Sequence, residues 1–182
     1  MKKAIGILAL VFCSVLGVRA CAAESKTLVL YFSATGTTKG AAQVIANSAQ
    51  ADIYEIVPAV PYSRQDLNWN DRNSRSSTEN ANRSARPAIA GRLPDISGYD
   101  VICIGYPLWW GTVPRIVLTA VEQLDFSGKK VVLFSTAHSS QAGPDVTELK
   151  QLLRGASVTG GKTFRSAPPP AEVADWLRSL GL

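Results

Sequence analysis

Thr27-Leu28-Val29-Leu30-Tyr31-Phe32, followed at once by Ser33-Ala34-Thr35-Gly36-Thr37-Thr38, is the stretch on which the fold turns. After Thr27 its first half is continuously apolar rather than alternating, as a strand covered on both faces should be. Its second half places four hydroxyl side chains and a glycine in six positions, then gives way to Ala41, Val44, Ile45 and Ala49 on one helical face. A buried strand that turns through small polar residues into an amphipathic helix opens a βαβ unit.

Working outward, Val101–Tyr106 and Val131–Ser135 repeat the buried-strand pattern. Asp52–Val57 is a weaker fourth strand, and a fifth lies near Ser157–Phe164, where Gly160 and Gly161 blur its limits. Pro114 suits the first turn of a helix carrying Val113, Ile116, Val117, Ala120, Val121 and Leu124. Pro144 opens another with Val146, Leu149, Leu152 and Leu153 inward, and Pro170 a last one with Val173, Trp176, Leu177 and Leu180. This alternation predicts right-handed crossovers and a three-layer α/β domain over residues 24–182, with no repeat or linker to divide it. Pro58–Asp95 breaks the alternation: it is polar, rich in Asn and Ser, and carries Arg64, Arg72, Arg75, Arg83, Arg86 and Arg92. It reads as a long surface excursion with a solvated helix over Ser77–Ser84, or else as a lid or binding loop.

The 182 residues are 46% apolar and 18% charged, which excludes a disordered polymer and permits one sizeable core. Lys2 and Lys3 precede an apolar run from Ala4 to Val18, and small residues follow at Ala20, Cys21, Ala22 and Ala23. That order matches a secretory signal peptide over residues 1–23, too short for an unaided transmembrane helix, so no transmembrane span is expected in the mature chain. A retained anchor and a buried N-terminal helix are the alternatives. Val18-Arg19-Ala20-Cys21 also resembles a bacterial lipobox, which would place a lipid anchor on Cys21; because Arg19 fits it poorly, soluble export to the periplasm or beyond ranks first. The net charge of +5 includes Lys2, Lys3 and Arg19; without them 16 basic residues face 14 acidic ones, and the charge gives no argument for nucleic acid. Cys13 and Cys21 belong to the leader and its edge, which leaves Cys103 in an apolar run as a core residue, with no disulfide framework and no thiolate metal site.

In an open parallel sheet, ligands bind beyond the carboxyl ends of the strands. Three loops leave those ends here. Ser33–Thr38 offers Ser33, Thr35, Thr37 and Thr38 hydroxyls and a helix start, the ingredients of a phosphate site, although any one of them is equally a helix cap. It is neither a Walker loop nor a dinucleotide fingerprint. Tyr106-Pro107-Leu108-Trp109-Trp110-Gly111-Thr112 places two adjacent indoles on a loop; one is expected to pack on the core and one to face a flat ligand. Ser135-Thr136-Ala137-His138-Ser139-Ser140-Gln141-Ala142-Gly143 is small and amide-rich, suited to the polar rim of a ring. Phosphate loop, aromatic wall and amide loop on one edge describe a flavin mononucleotide (FMN) pocket. His138 is the only histidine; without a G-x-S-x-G elbow or paired metal ligands it marks neither a hydrolase triad nor a metal site, and no catalytic residue is assigned.

Leu28–Thr38, Tyr99–Pro114 and Ser135–Gly143 resemble the three cofactor loops of the flavodoxin family. The likeness is greatest to a bacterial branch with the sequence Gly-Tyr-Pro-x-Trp-Trp-Gly-Thr-x-Pro, here Gly105–Pro114. Pro61-Tyr62, the Asn-rich stretch after it and Ala85-Arg86-Pro87 are similar to that branch too, so the resemblance runs from Thr27 to Leu182. It implies a five-stranded parallel sheet of order 2-1-3-4-5 and non-covalent FMN. Ser33, Thr35, Gly36, Thr37 and Thr38 would hold the phosphate, and Pro107, Trp109, Trp110 and Gly111 would form one side of the isoalloxazine. Thr136, His138, Ser139 and Gly143 would lie along the other. Thr37 stands where the family usually has Asn, and His138-Ser139-Ser140 where it often has more glycine. Two functions follow: a carrier passing electrons between redox partner proteins, or an NAD(P)H oxidoreductase reducing a small quinone-like acceptor. A flavin-free binding module on the same fold is a third. The absence of a separate nicotinamide fingerprint favours the carrier; a polar excursion able to cover the ring favours the enzyme. Were the excursion's arginines close to the ring, they would raise its second one-electron potential above that of an acidic relative.

Overall fold

The computed structural model describes residues 25–138 and 146–182. The expected leader with Cys21, Pro144, and Ser139 and Gly143 of the third loop lie outside the described residues. Five parallel strands form one sheet: β1 (Thr27–Tyr31), β2 (Asp52–Glu55), β3 (Val101–Pro107), β4 (Lys130–Thr136) and β5 (Ser157–Phe164). Their order is β2-β1-β3-β4-β5, the 2-1-3-4-5 arrangement the resemblance implies. Five helices accompany them: α1 (Thr37–Ala49), α2 (Arg75–Ala81), α3 (Arg115–Val121), α4 (Thr147–Leu152) and α5 (Pro170–Ser179).

Successive strand residues point to opposite faces, so each buried strand feeds two cores. Leu28, Leu30, Ile102, Ile104, Val131 and Leu133 meet Ile116, Val117 and Leu149 of α3 and α4 on one face. Val29, Tyr31, Cys103, Val132 and Phe134 meet Ala41, Ile45, Val173, Trp176 and Leu177 of α1 and α5 on the other. Double coverage is why these strands are continuously apolar. Cys103 is buried and free, and burial pushes its thiol up to about 12 against the opposing pull of Lys130. Gly105 on β3 pairs in register with Phe134 on β4, and a Cβ there would lie 2.0 Å from the Phe134 ring. Between β4 and β5 the register skips one residue after Val132, so β5 spends its two glycines on a bulge.

The excursion between β2 and β3 is tethered rather than loose. Its base is closed by antiparallel pairing of Pro58 with Ile89, through Ala59 N–H to Ala88 O at 2.8 Å and Ala90 N–H to Val57 O at 2.7 Å. Its helix starts two residues earlier than the sequence suggests, at Arg75 instead of Ser77, because the Ser74 hydroxyl accepts from Ser77 N–H and caps it. Nor is that helix solvated all round: Ser76 and Ser77 are buried. Arg86 grips Glu122 with two bonds of 2.8 and 2.9 Å, and Arg83 and the buried Arg115 share Glu148. These pairs fasten the excursion to the α3–α4 side of the sheet. Among the described residues no helix is long and apolar enough to cross a membrane.

Candidate functional site

At the end of β1 the chain must reverse into α1, and Gly36 makes the reversal in the left-handed region (φ +90°). Ser33 Oγ accepts from Gly36 N–H at 3.1 Å, and open space surrounds the position a Cβ would take at Gly36. Thr35 and Thr37 hydroxyls stand 3.4 Å apart. Gly40 N–H is bonded to Gly36 O at 3.0 Å, so helix geometry leaves the preceding N–H groups of Thr37, Thr38 and Lys39 without intrahelical acceptors. Thr38 is buried, its hydroxyl 2.7 Å from that of Thr136 at the end of β4. That bond joins the first loop to the third.

The second loop is a two-residue hairpin turn. Trp109 and Thr112 exchange backbone bonds of 3.2 and 3.0 Å, with Trp110 (φ +57°) and Gly111 (φ +73°) between them, both left-handed as in a type I′ turn. Glycine is at ease there. A tryptophan is not, and its backbone costs about 1–2 kcal/mol. The two indoles meet different surroundings. Trp109 packs edge-on against Phe32 and Tyr62, with ring centres 5.5 and 5.0 Å away. Trp110 remains 49% exposed.

Tyr62 comes from the excursion and packs edge-on against Trp109. Its hydroxyl donates to Glu79 at 2.6 Å, and the Arg75 guanidinium lies 4.0 Å over its ring while bonding the same carboxylate. Burial, then the bond to Glu79, push the Tyr62 hydroxyl well above its usual range, so it stays a neutral donor.

These elements enclose a cavity of about 450 Å³ at the carboxyl edge of the sheet. It gathers Thr35, Thr37, Pro107, Trp109, Trp110, Gly111, Thr136 and His138 from the expected set. Ser33, Gly36 and Thr38 are not on its wall. Their bonds shape the loop behind it. The other lining residues lie outside that set: Leu108 and Ala137 from the second and third loops, and Leu67, Trp69 and Ser76 from the excursion. The available signal was Trp69 itself, an isolated indole in an Asn-rich run. Among the described residues no carboxylate, lysine or arginine lines the cavity. The excursion's arginines therefore do not flank it directly, and Arg75, Arg83 and Arg86 are engaged with Glu79, Glu148 and Glu122. Among the described residues no cluster suited to a metal ion occurs.

The donor set fits a planar ring carrying a phosphate. Unpaired helix N–H groups and two hydroxyls suit an anion, indole faces suit the ring, and no carboxylate among the described lining residues repels it. A cavity of this size takes one cofactor-sized ligand.

Known structures agree in outline. A crystal structure of a candidate flavoprotein from Bacteroides eggerthii is 40% identical, with a TM-score of 0.81, covering 87% of this chain and 99% of that one. A second, from Bacteroides uniformis, is also 40% identical, with a TM-score of 0.79 and coverage of 85% and 98%. A Lactobacillus acidophilus flavoprotein, solved in complex with FMN, shares the fold at 24% identity and a TM-score of 0.63, covering 84% of this chain and 99% of that one. A family profile described as flavodoxin matches residues 26–180. Because that match extends from the strand that opens the sheet to the helix that completes it, and does not stop at one motif, this chain belongs to the flavodoxin family.

Proposed function

We propose that the protein binds FMN non-covalently in this cavity and carries electrons between redox partners outside the cytoplasm. The observation that carries the reading is the coincidence, in one cavity, of the α1 start with Thr35 and Thr37, and the Trp109–Gly111 turn. Bound FMN would supply one- and two-electron redox chemistry. Thr35, Thr37 and the N–H groups at the head of α1 would hold its phosphate. Trp110 would offer a ring face, Trp109 would hold the wall in place, and Thr136 and His138 would meet the polar rim. With no carboxylate among the described lining residues, negative charge on the ring meets no like charge from them at short range, which supports a second-electron potential less negative than in an acidic relative.

Carriage rather than substrate reduction is supported by a cavity sized for one cofactor and by the lack of a nicotinamide fingerprint. The partner is then a redox protein; a small quinone-like acceptor belongs to the reductase reading. Export rests on the leader, with Cys21 acylation as the lesser route. An intact mass beginning at Ala23 or Glu24 without acyl chains supports soluble export, and a lipidated Cys21 terminus supports anchoring.

The deciding experiment is anaerobic mixing of the yellow holoprotein with NADH or NADPH. Persistent colour, with reduction by dithionite, supports the carrier; rapid bleaching overturns it in favour of a reductase. A colourless protein that takes up no FMN would overturn both.

A further inference from the structure

We propose that Trp69 is a binding residue of this cavity, its indole lying against the ring system of the flavin; the proposal rests on the FMN reading above. The first ground is exposure. Trp69 is the most exposed large apolar side chain among the described residues, at 70%, and Trp110 follows among those lining the same cavity. An indole represents some of the largest apolar surface a residue can bury, so leaving two open beside one cavity is costly unless a flat ligand covers them.

The second ground is that the turn leading into Trp69 is held in place. Ser63 donates to Asp66 Oδ2 from both its N–H and its hydroxyl, at 2.8 and 2.7 Å, and these bonds keep that carboxyl below its usual range. Leu67 N–H returns to Ser63 O at 3.2 Å, and Ser76 N–H reaches Asp66 O at 2.9 Å. The turn carrying Trp69 is thus stitched to the head of α2. Through Arg75, Glu79 and Tyr62, α2 is in turn braced against Trp109. The turn bearing Trp69 and the Trp109 indole are thus linked through α2, although 40 positions separate them in sequence.

The third ground is that no described aromatic ring pairs with Trp69, whereas Trp109 is packed among others. Its face is open to a ligand. The excursion is accordingly a fourth wall of the site, added to the three loops that leave the strand ends.

The test is titration of apoprotein with FMN, following flavin fluorescence, for the wild type, Trp69→Ala and Trp69→Phe. Stacked aromatic pairs imply that Trp69→Ala weakens FMN binding roughly threefold to tenfold. The bound flavin should also become brighter, because an adjacent indole quenches it, while Trp69→Phe recovers most of the affinity. Exposure at position 69 predicts unchanged melting of both ligand-free variants; if Trp69→Ala melts lower, the Phe variant's higher flavin brightness at near-normal affinity carries the proposal. Wild-type affinity and wild-type fluorescence in Trp69→Ala would overturn it and leave a protein partner as what covers the indole. Failure of the wild type to bind FMN at all would overturn the flavin reading, and this proposal with it.

Discussion

Substituting Gly105 by alanine drives a methyl group into the Phe134 ring, 2.0 Å from Cζ and 2.4 and 2.6 Å from the Cε atoms. An ordinary carbon contact is about 3.5 Å or more, so the ring or the strand must yield by about 1.5 Å. Phe134 is 1% exposed and wedged between β3 and α1, which leaves it little room to swing away. Overpacking usually costs about 1–3 kcal/mol, and a contact this short belongs at the upper end. About 3 kcal/mol in a domain of this size lowers Tm by roughly 6–12 °C. Gly105 lies two residues before Pro107 and Phe134 two before Thr136, so the strain also separates the strands that deliver the second and third loops. Thermal melts of Gly105→Ala, Phe134→Leu and the double variant form the assay. The double variant should recover part of the alanine penalty, since a smaller side chain admits the methyl. A melt of Gly105→Ala within about 1 °C of the wild type would refute the contact argument.

Cys103, with its thiol at about 12, should resist iodoacetamide at pH 8 in the native protein and react once unfolded, read by mass of its peptide. Native labelling at the rate of a free thiol would contradict its burial. Arg86 bonding holds the Glu122 carboxyl below its ordinary value of 4.5. A carboxylate lowered in the folded state stabilises above its unfolded pKa and loses that contribution as pH falls through the folded value. The wild type should therefore outmelt Glu122→Gln at pH 7, with the gap closing below about pH 4.5. Trp110→Asn relieves the left-handed strain and should raise stability of the ligand-free protein by up to about 1 kcal/mol. It should weaken FMN binding at the same time; equal loss of both would mean that the turn is not strained.

Most of the fold could be read from residues alone because its strands are covered twice. Val29, Ile102 and Val132 sit between two helical layers and leave a continuous apolar signature that no surface pressure dilutes. The edges were harder. Asp52–Glu55 is half solvated, with Ile53 exposed, and β5 changes register at its glycines. The three strand-end loops were legible because each follows an unmistakable strand. The fourth wall was not, because its order comes from polar chemistry: Ser74 capping α2, Asp66 gathering Ser63, Arg86 reaching Glu122. Such bonds have no period, so a segment built on them resembles solvent-facing chain until its partners are known.

The Thr38–Thr136 bond brings residues 98 positions apart to 2.7 Å inside the protein. Its position makes it a gauge block: it fixes how far the head of α1 stands from the end of β4. A phosphate-bearing ring bound as proposed would have to match that span, and a shorter ligand without the anionic end would leave part of the gap unfilled. Selection by length would thereby be built into the site, by one hydroxyl behind its wall, Thr38, and one on it, Thr136.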